Sequence, residues 1–391
     1  VRNLARSLES GDAVVGGVLS GTSGDGVDVA FARLRVREDR GCLRPAALEP
    51  LAFRCSPFPS ELAERLRAVL DGTAPSLREV AMLHRDLGVA FGEAVASFAA
   101  DVGLAPVLIG SHGQTVWHHD GAPPAERATL QLGDADHLAE RVGCWVVSDF
   151  RQADLASGGE GAPLSALVED LLFPGLERPA CVLNLGGIGN LTLLGEGGEL
   201  LGARDTGPAG ALLDGLARRL LGAPMDQGGE AAQQGEVSAA ALERWLRHPF
   251  FEGGARSTGR DTFGEAWVSS CLEEARGVGV ARPEDVLATA AALVAQAVAW
   301  SLEREAPQGI EQLVVAGGGV HNARVLAELS ARTGLIVQSS EAHGVDPDAR
   351  EALGFAALGA GFGLGWGWGA PEATGGAHGR ILGRLSPPGA G

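Results

Sequence analysis

Lysine and tyrosine are absent from this 391-residue chain, so each of its 31 cationic side chains is an arginine. A Walker lysine, a kinase-strand lysine and a Schiff-base lysine are therefore all excluded, whatever the glycine-rich turns suggest. A genome that writes arginine for lysine accounts for the bias, and the exclusion holds either way. Cysteine is sparse: Cys42, Cys55, Cys144, Cys181 and Cys271 are scattered, odd in number and lack CxxC spacing. That pattern indicates neither a disulfide framework nor a zinc cage, and it fits a reducing cytoplasm. Aromatic residues make up only 5% of the chain, so its cores must be built mainly from Leu, Val and Ala. Positive charge is short as well. A formal net charge of -18 argues against a broad nucleic-acid footprint, which needs clustered cations. A small anionic ligand stays open, because backbone N–H groups and one metal ion can serve it locally. The sequence offers no long apolar stretch of signal-peptide type and no obvious bilayer span, so no membrane partner is expected.

What is present is an α/β pattern long enough for two domains and a cleft between them. The run "GVLSGTSGDGVDVAF" (residues 17–31) puts a glycine tip between two apolar strands, a hairpin in outline. Helices are expected at 60–70, with Ser60 as N-cap, and from Ser76 to about Asp101. "APVLIGSHGQTVWHH" reads as a strand that stops at Gly110 and carries a polar cluster on its end. "WVVSDFRQADLASGGEGAPL" repeats strand, polar end and glycine loop. At mid-chain "ACVLNLGGIGNLTLLG" (180–195) echoes the opening hairpin, and "QLVVAGGGVHNARVLAELS" (312–330) gives strand, triple glycine and helix. The Ala-rich stretch 286–305 after "RPED" is the strongest helix. Beyond Gly359 the Gly, Trp and Pro content predicts a segment wrapped over the surface. These boundaries place a first domain at 1–150 with 360–391 and a second at 151–359.

Successive N–H groups in a glycine turn can form a nest for phosphate oxygens without lysine. Thr22 and Ser23 add hydroxyl donors, and Asp25 is placed to hold a hydrated Mg²⁺ against the phosphates. The first tip leads into a strand, not a helix, and no GK[ST] exists, so neither the dinucleotide fingerprint nor the P-loop fits. Strand-tip loops in both halves, with a "GGG" turn before a helix, match a two-domain actin/hexokinase/Hsp70-like (ribonuclease H-like) ATPase fold with an interdomain cleft. Asp205, opening "DTGP", is either a general base or a turn-capping aspartate.

The run "SGTSGDGVD" resembles the opening signature of the 1,6-anhydro-N-acetylmuramic acid kinases. The resemblance continues in order through "GSHGQTVWH", "TLQLGD", "SDFRQADLASGGEGAPL", "LNLGGIGNLT", "DTGPAGALLD", "RSTGRDTF", "VAGGGVHN", "EALGFAALG" and "PEATGGAHGRILGRL". It implies an ATP-dependent, Mg²⁺-assisted kinase that opens the anhydro ring with water and phosphorylates the sugar to N-acetylmuramic acid 6-phosphate. It also implies a cytoplasmic place in peptidoglycan recycling and a homodimer. On this resemblance Asp205 is the base and Glu351 supports the sugar, unless Glu351 is only a helix N-terminal acid. The nucleotide would meet Gly21, Thr22, Ser23, Gly24, Asp25, Gly26, Val27 and Asp28 in the first loop. In the second half it would meet Gly186, Gly187 and Asn190 with Thr192, and the adenosine would approach Gly317, Gly318 and Gly319. His112, Gln114 and His118 are candidate sugar ligands. Arg151 and Asp154 are either ligands or an internal ion pair.

Five departures stand out. Gly24 replaces a Met or Leu, which should loosen the tip, and Gly210 replaces an Asn. Glu160 replaces a Gln, adding negative charge near anionic ligands, and Ala255-Arg256 and "ATAA" replace the usual PK and "ATLT". Two rivals stay in play: a kinase of the same fold for another sugar and, on the strength of Glu160 and Gly210, a sensor that has lost catalysis.

Overall fold

The computed structural model describes the chain apart from residues 1, 22, 23, 25, 40, 120, 121, 253–257, 259–261, 369, 370, 377, 378, 390 and 391. It divides into two compact units, Val1–Pro174 with Ala349–Gly391, and Gly175–Asp348. The crossings therefore lie at 174/175 and 348/349 rather than at 150/151 and 359/360. The return comes early because the helix Arg350–Gly363 packs against the first unit's sheet. A Cβ on Gly17 would sit 1.7 Å from the Ala352 carbonyl oxygen, and one on Gly110 2.0 Å from that of Phe355. These two glycines are in register on neighbouring strands, and only their missing side chains let the helix backbone approach so closely.

The strands are β1 (Val14–Ser20), β2 (Gly26–Asp39), β3 (Cys42–Pro57), β4 (Leu108–His118), β5 (Thr129–Leu132), β6 (Trp145–Ser148), β7 (Ala180–Leu185), β8 (Ile188–Leu194), β9 (Leu200–Pro208), β10 (Gln312–Ala316), β11 (Ile336–Ser339) and β12 (Arg384–Ser386). The first unit's sheet runs β3-β2-β1-β4-β6-β12, with β5 also on β4, and the second unit's runs β9-β8-β7-β10-β11. In each, an antiparallel three-strand meander leads and its first strand then pairs in parallel with a strand reached by a helical crossover. One design is thus used twice, as the repeated hairpin pattern implied.

Between β3 and β4 lie the helices Ser60–Leu70 and Leu77–Val102, whose Leu66, Leu83, Phe91 and Phe98 close over Val18, Phe31 and Ile109 of the sheet. The second unit is organised around Pro283–Glu305, which starts with Pro at its first turn and buries fourteen side chains, mostly Ala, Leu and Val. By length and composition this helix would pass as a membrane span, yet 78% of its apolar window is buried inside the unit, as befits a core helix. Burial likewise pushes the Cys144 and Cys181 thiols up to about 12, so they pack as apolar groups.

Three local expectations change. Pro59 (φ -52°), not Ser60, occupies the cap of Ser60–Leu70, whereas Ser76 does cap the next helix by accepting from the Glu79 N–H at 3.1 Å. β4 does not stop at Gly110 but continues to His118, because its later residues pair with β5, Gln114 opposite Leu132 and His118 opposite Thr129. The C-terminal segment is more than a wrap: β12 adds an antiparallel edge strand to β6.

Candidate functional site

In the first unit the glycine tip joins β1 to β2. Gly24 has φ +65°, its N–H closes a turn on the Gly21 carbonyl at 3.1 Å, and its Cβ position is 2.5 Å from Leu70 Cδ1. A larger residue on this backbone meets both strain and the 60–70 helix, so Gly24 is built in tightly rather than left loose. Val27 puts its side chain into the core, and Gly26 lies against the Ser56 carbonyl, so in the tip only backbone groups of these two can serve a ligand. Asp28 is half-buried on β2 opposite Leu19. Thr22, Ser23 and Asp25 lie outside the described residues.

The neighbouring strand end carries the polar cluster. Gln114 is fully buried and donates from Nε2 to the Gly21 carbonyl at 3.1 Å, tying β4 to the tip, while its Oε1 is buried without a partner. Ser20 Oγ, directly across the pairing from Gln114, is buried and unpartnered too. His112 Nδ1 donates to the Gly113 carbonyl (3.1 Å), which leaves Nε2 as acceptor for Arg151 Nε and Nη2 at 3.1 and 2.9 Å. Burial and the Arg151 charge hold His112 neutral, well below the usual histidine range. Both ring nitrogens are thus engaged, and His112 acts on Arg151 rather than offering a free nitrogen. Arg151 Nη1 also donates to the Gly161 carbonyl at 2.7 Å. Asp154 accepts from the Gly161 N–H and from Thr374 Oγ1, both at 2.7 Å, which pins the glycine loop to the C-terminal segment. His118 faces Thr129 Oγ1 at 2.9 Å, and burial first, then Arg151, lowers it to about 3.

Glu160 does not leave a bare negative charge. Arg127 Nη2 reaches its Oε1 at 3.3 Å, and Arg127 also donates to the Gly158 and Ala122 carbonyls. Glu351 is exposed in the first turn of Arg350–Gly363, next to Arg350, whose guanidinium is fully buried against Glu169.

In the second unit the chemistry gathers on β8 and β9. Asp205 lies within β9, not in a turn after it, and is 7% exposed. Its Oδ1 accepts from Asn190 Nδ2 and its Oδ2 from the Thr258 backbone N–H at 2.7 Å. The register explains the aim: Gly189 opposes Gly207 but Asn190 opposes Asp205, so Thr206 is an extra residue, a β-bulge beside the carboxylate. Thr206 Oγ1 donates to the Gly189 carbonyl at 3.2 Å, which seats the bulge. Asn184 on β7 opposes Asn190, so Asn184, Asn190 and Asp205 form one cross-strand row. Thr192 is buried farther along β8, opposite Ala203.

The Gly186-Gly187 turn uses its carbonyls: Gly186 accepts from Gly210 N–H and Gly187 from Ala209 and Ala211, at 2.9 to 3.0 Å. The first donors of the helix Gly210–Leu220 are therefore taken by the turn, and a Cβ at Gly210 would be 3.0 Å from the Gly186 oxygen. Gly317 (φ +80°) lies so close to Asn184 and Leu185, and Gly319 so close to Leu185, that a Cβ on either would clash. Gly318 alone faces open space. Asp214, on the Gly210–Leu220 helix, was not singled out by sequence; burial raises its carboxyl to about 6. Its signal is an acid one turn inside an otherwise apolar helix start.

Among the described residues no group of three or more His, Cys, Asp or Glu side chains is arranged to hold a metal. Mg²⁺ carried by a triphosphate and water needs only one carboxylate from protein and no such cage.

The family model described as anhydro-N-acetylmuramic acid kinase matches residues 13–388. An anhydro-N-acetylmuramic acid kinase of Xanthomonas campestris pv. campestris is 40% identical over 377 residues, covering 95% of this chain and 96% of that protein. One from Gloeobacter violaceus is 39% identical over 350 residues, covering 88% and 90%. Among solved structures, component A of (R)-2-hydroxyglutaryl-CoA dehydratase from Acidaminococcus fermentans aligns at 13% identity and a TM-score of 0.46, over 90% of this chain and 99% of that one.

Proposed function

From the premise that the chain belongs to the anhydro-N-acetylmuramic acid kinase family, and so is a kinase, we propose how its own residues carry the reaction. The substrates are 1,6-anhydro-N-acetylmuramic acid, water and ATP, and the products N-acetylmuramic acid 6-phosphate and ADP, made in the cytoplasm during peptidoglycan recycling. The sugar has no free 6-hydroxyl, since that oxygen bridges C1 and C6. Ring opening and phosphorylation are therefore coupled. Asp205 takes a proton from water, the water oxygen bonds to C1 as the C1–O6 bond breaks, and O6 attacks the γ-phosphorus while ADP leaves.

The observation that carries this reading is the state of Asp205, a buried carboxylate aimed by a bulge and held by two donors that both favour its charged form. Arg151, oriented by neutral His112, is a cation suited to an anionic group of the sugar or phosphate. Gln114 Oε1 and Ser20 Oγ offer buried positions for ligand hydroxyls. Backbone N–H groups of the tip, with Thr22 and Ser23, would meet the phosphates, and Asp25 would share Mg²⁺, which neutralises phosphate charge when bound.

Asp205→Asn tests the reading. With ATP, Mg²⁺ and the anhydro sugar, its turnover should fall about 10²- to 10⁴-fold while nucleotide affinity is kept. Unchanged turnover would remove Asp205 from the chemistry. A panel of other sugars, turned over no better than the anhydro sugar, separates this kinase from one with a different acceptor.

A further inference from the structure

We infer that Asn190 is a positioning residue for Asp205 rather than a phosphate contact, which rests on the reading of Asp205 as the base. Asn190 and Asp205 stand directly opposite each other across the β8/β9 ladder, so their side chains share one face of the sheet. The Asn190 amide is within hydrogen-bond reach of Asp205 Oδ1 and donates to it through Nδ2. Thr258 N–H takes the other oxygen, so the two donors fix both the rotation of the carboxylate plane and its depth. The bulge at Thr206 is what makes this pairing possible. In a regular ladder with no bulge, Asn190 would face Thr206, and Asp205 would pair with Leu191 and turn its carboxylate to the opposite side of the sheet. Asn184 opposes Asn190 on its far side, so the positioning amide is itself backed by a polar neighbour on a buried strand.

A base held at one angle keeps one lone pair directed at the water it must deprotonate, and loss of that aim lowers turnover without touching nucleotide binding. It also removes a donor that favours the ionised carboxylate, so more acid-sensitive activity follows.

The test is steady-state kinetics of Asn190→Ala and Asn190→Asp over a range of pH, with ATP and the anhydro sugar. For Asn190→Ala, kcat should drop by about 10²-fold with the KM for ATP little changed. The acidic limb of its kcat profile should move to higher pH. The isosteric Asn190→Asp keeps the test alive if the alanine variant fails to fold. It should be inactive at neutral pH, where two carboxylates face each other, and recover part of its turnover as pH falls and one of them becomes a donor. A rise in the KM for ATP with kcat and the pH limb unmoved would overturn the inference and make Asn190 a nucleotide contact. Full activity in Asp205→Asn would instead sink the assignment of the base, an outcome that these two variants do not mimic.

Discussion

The two units share one strand order and use it in opposite ways. In the first, the polar residues at the strand ends mostly hold one another: His112 orients Arg151, Asp154 ties Gly161 to Thr374, and Arg127 covers Glu160. In the second, a single carboxylate is raised on a bulge and its supporting groups all point at it. Buried charge differs in the same sense. Glu169 and Arg350 are both fully buried and paired, whereas half-buried Asp214 is raised by burial against a weaker opposing pull from the Arg218 charge. Packing differs too, since the first sheet takes a helix onto bare glycine while the second gathers an alanine-rich helix. One topology thus carries a network of mutually bonded polar groups in one unit and a carboxylate held by converging donors in the other, and side chains decide which.

The contrast can be broken most sharply at Arg350. Arg350→Met strands the buried Glu169 charge and should cost about 3–5 kcal/mol in urea unfolding, with hydrogen exchange rising in the first unit only. Next in size, Gly17→Val forces a side chain against the helix carbonyl of Ala352 and should cost about 1–3 kcal/mol, again confined to that unit. In the second unit the sign reverses. The Asp214 carboxyl, raised from 3.8 to about 6, binds protons more tightly folded than unfolded, so it costs stability as pH climbs from about 4 through 6. Asp214→Asn should therefore match the parent below pH ~4 and exceed it by about 1–2 kcal/mol above pH ~6, the figure reduced for solvent screening. Thermal melts across that window check it. Smallest is the Arg127–Glu160 pair, still reached by solvent on both sides: a double-mutant cycle with Arg127→Gln and Glu160→Gln should return about 1 kcal/mol or less.

Much of this was written in local sequence. Glycine tips between apolar runs gave both hairpins, and Ser76, Pro283 and the apolar spacing gave the long helices. What stayed hidden depends on residues distant in the chain. Gly110 reads as the end of a strand, yet β4 continues because a partner strand at 129–132 pairs with it. Asp205 was legible as an acid in a motif, but its bulge is a property of two strands in register and leaves no mark in either alone. Asn190 reads from sequence as a nucleotide contact beside the glycine tip, and nothing local shows that it stands opposite Asp205. Glu160 looked like an uncompensated charge because Arg127, in another loop, is far from it in sequence. The domain boundary moved for the same reason: helix Arg350–Gly363 follows the second unit in the chain and packs on the first.

That last arrangement sets an order on synthesis. The second unit is uninterrupted from Gly175 to Asp348 and is complete in the nascent chain as soon as Asp348 clears the ribosome. The first unit, begun earlier, must wait with β1 and β4 uncovered on one face until residues 350–363 emerge, and with β6 as an edge until β12 arrives. The half that is translated first is the half that finishes last.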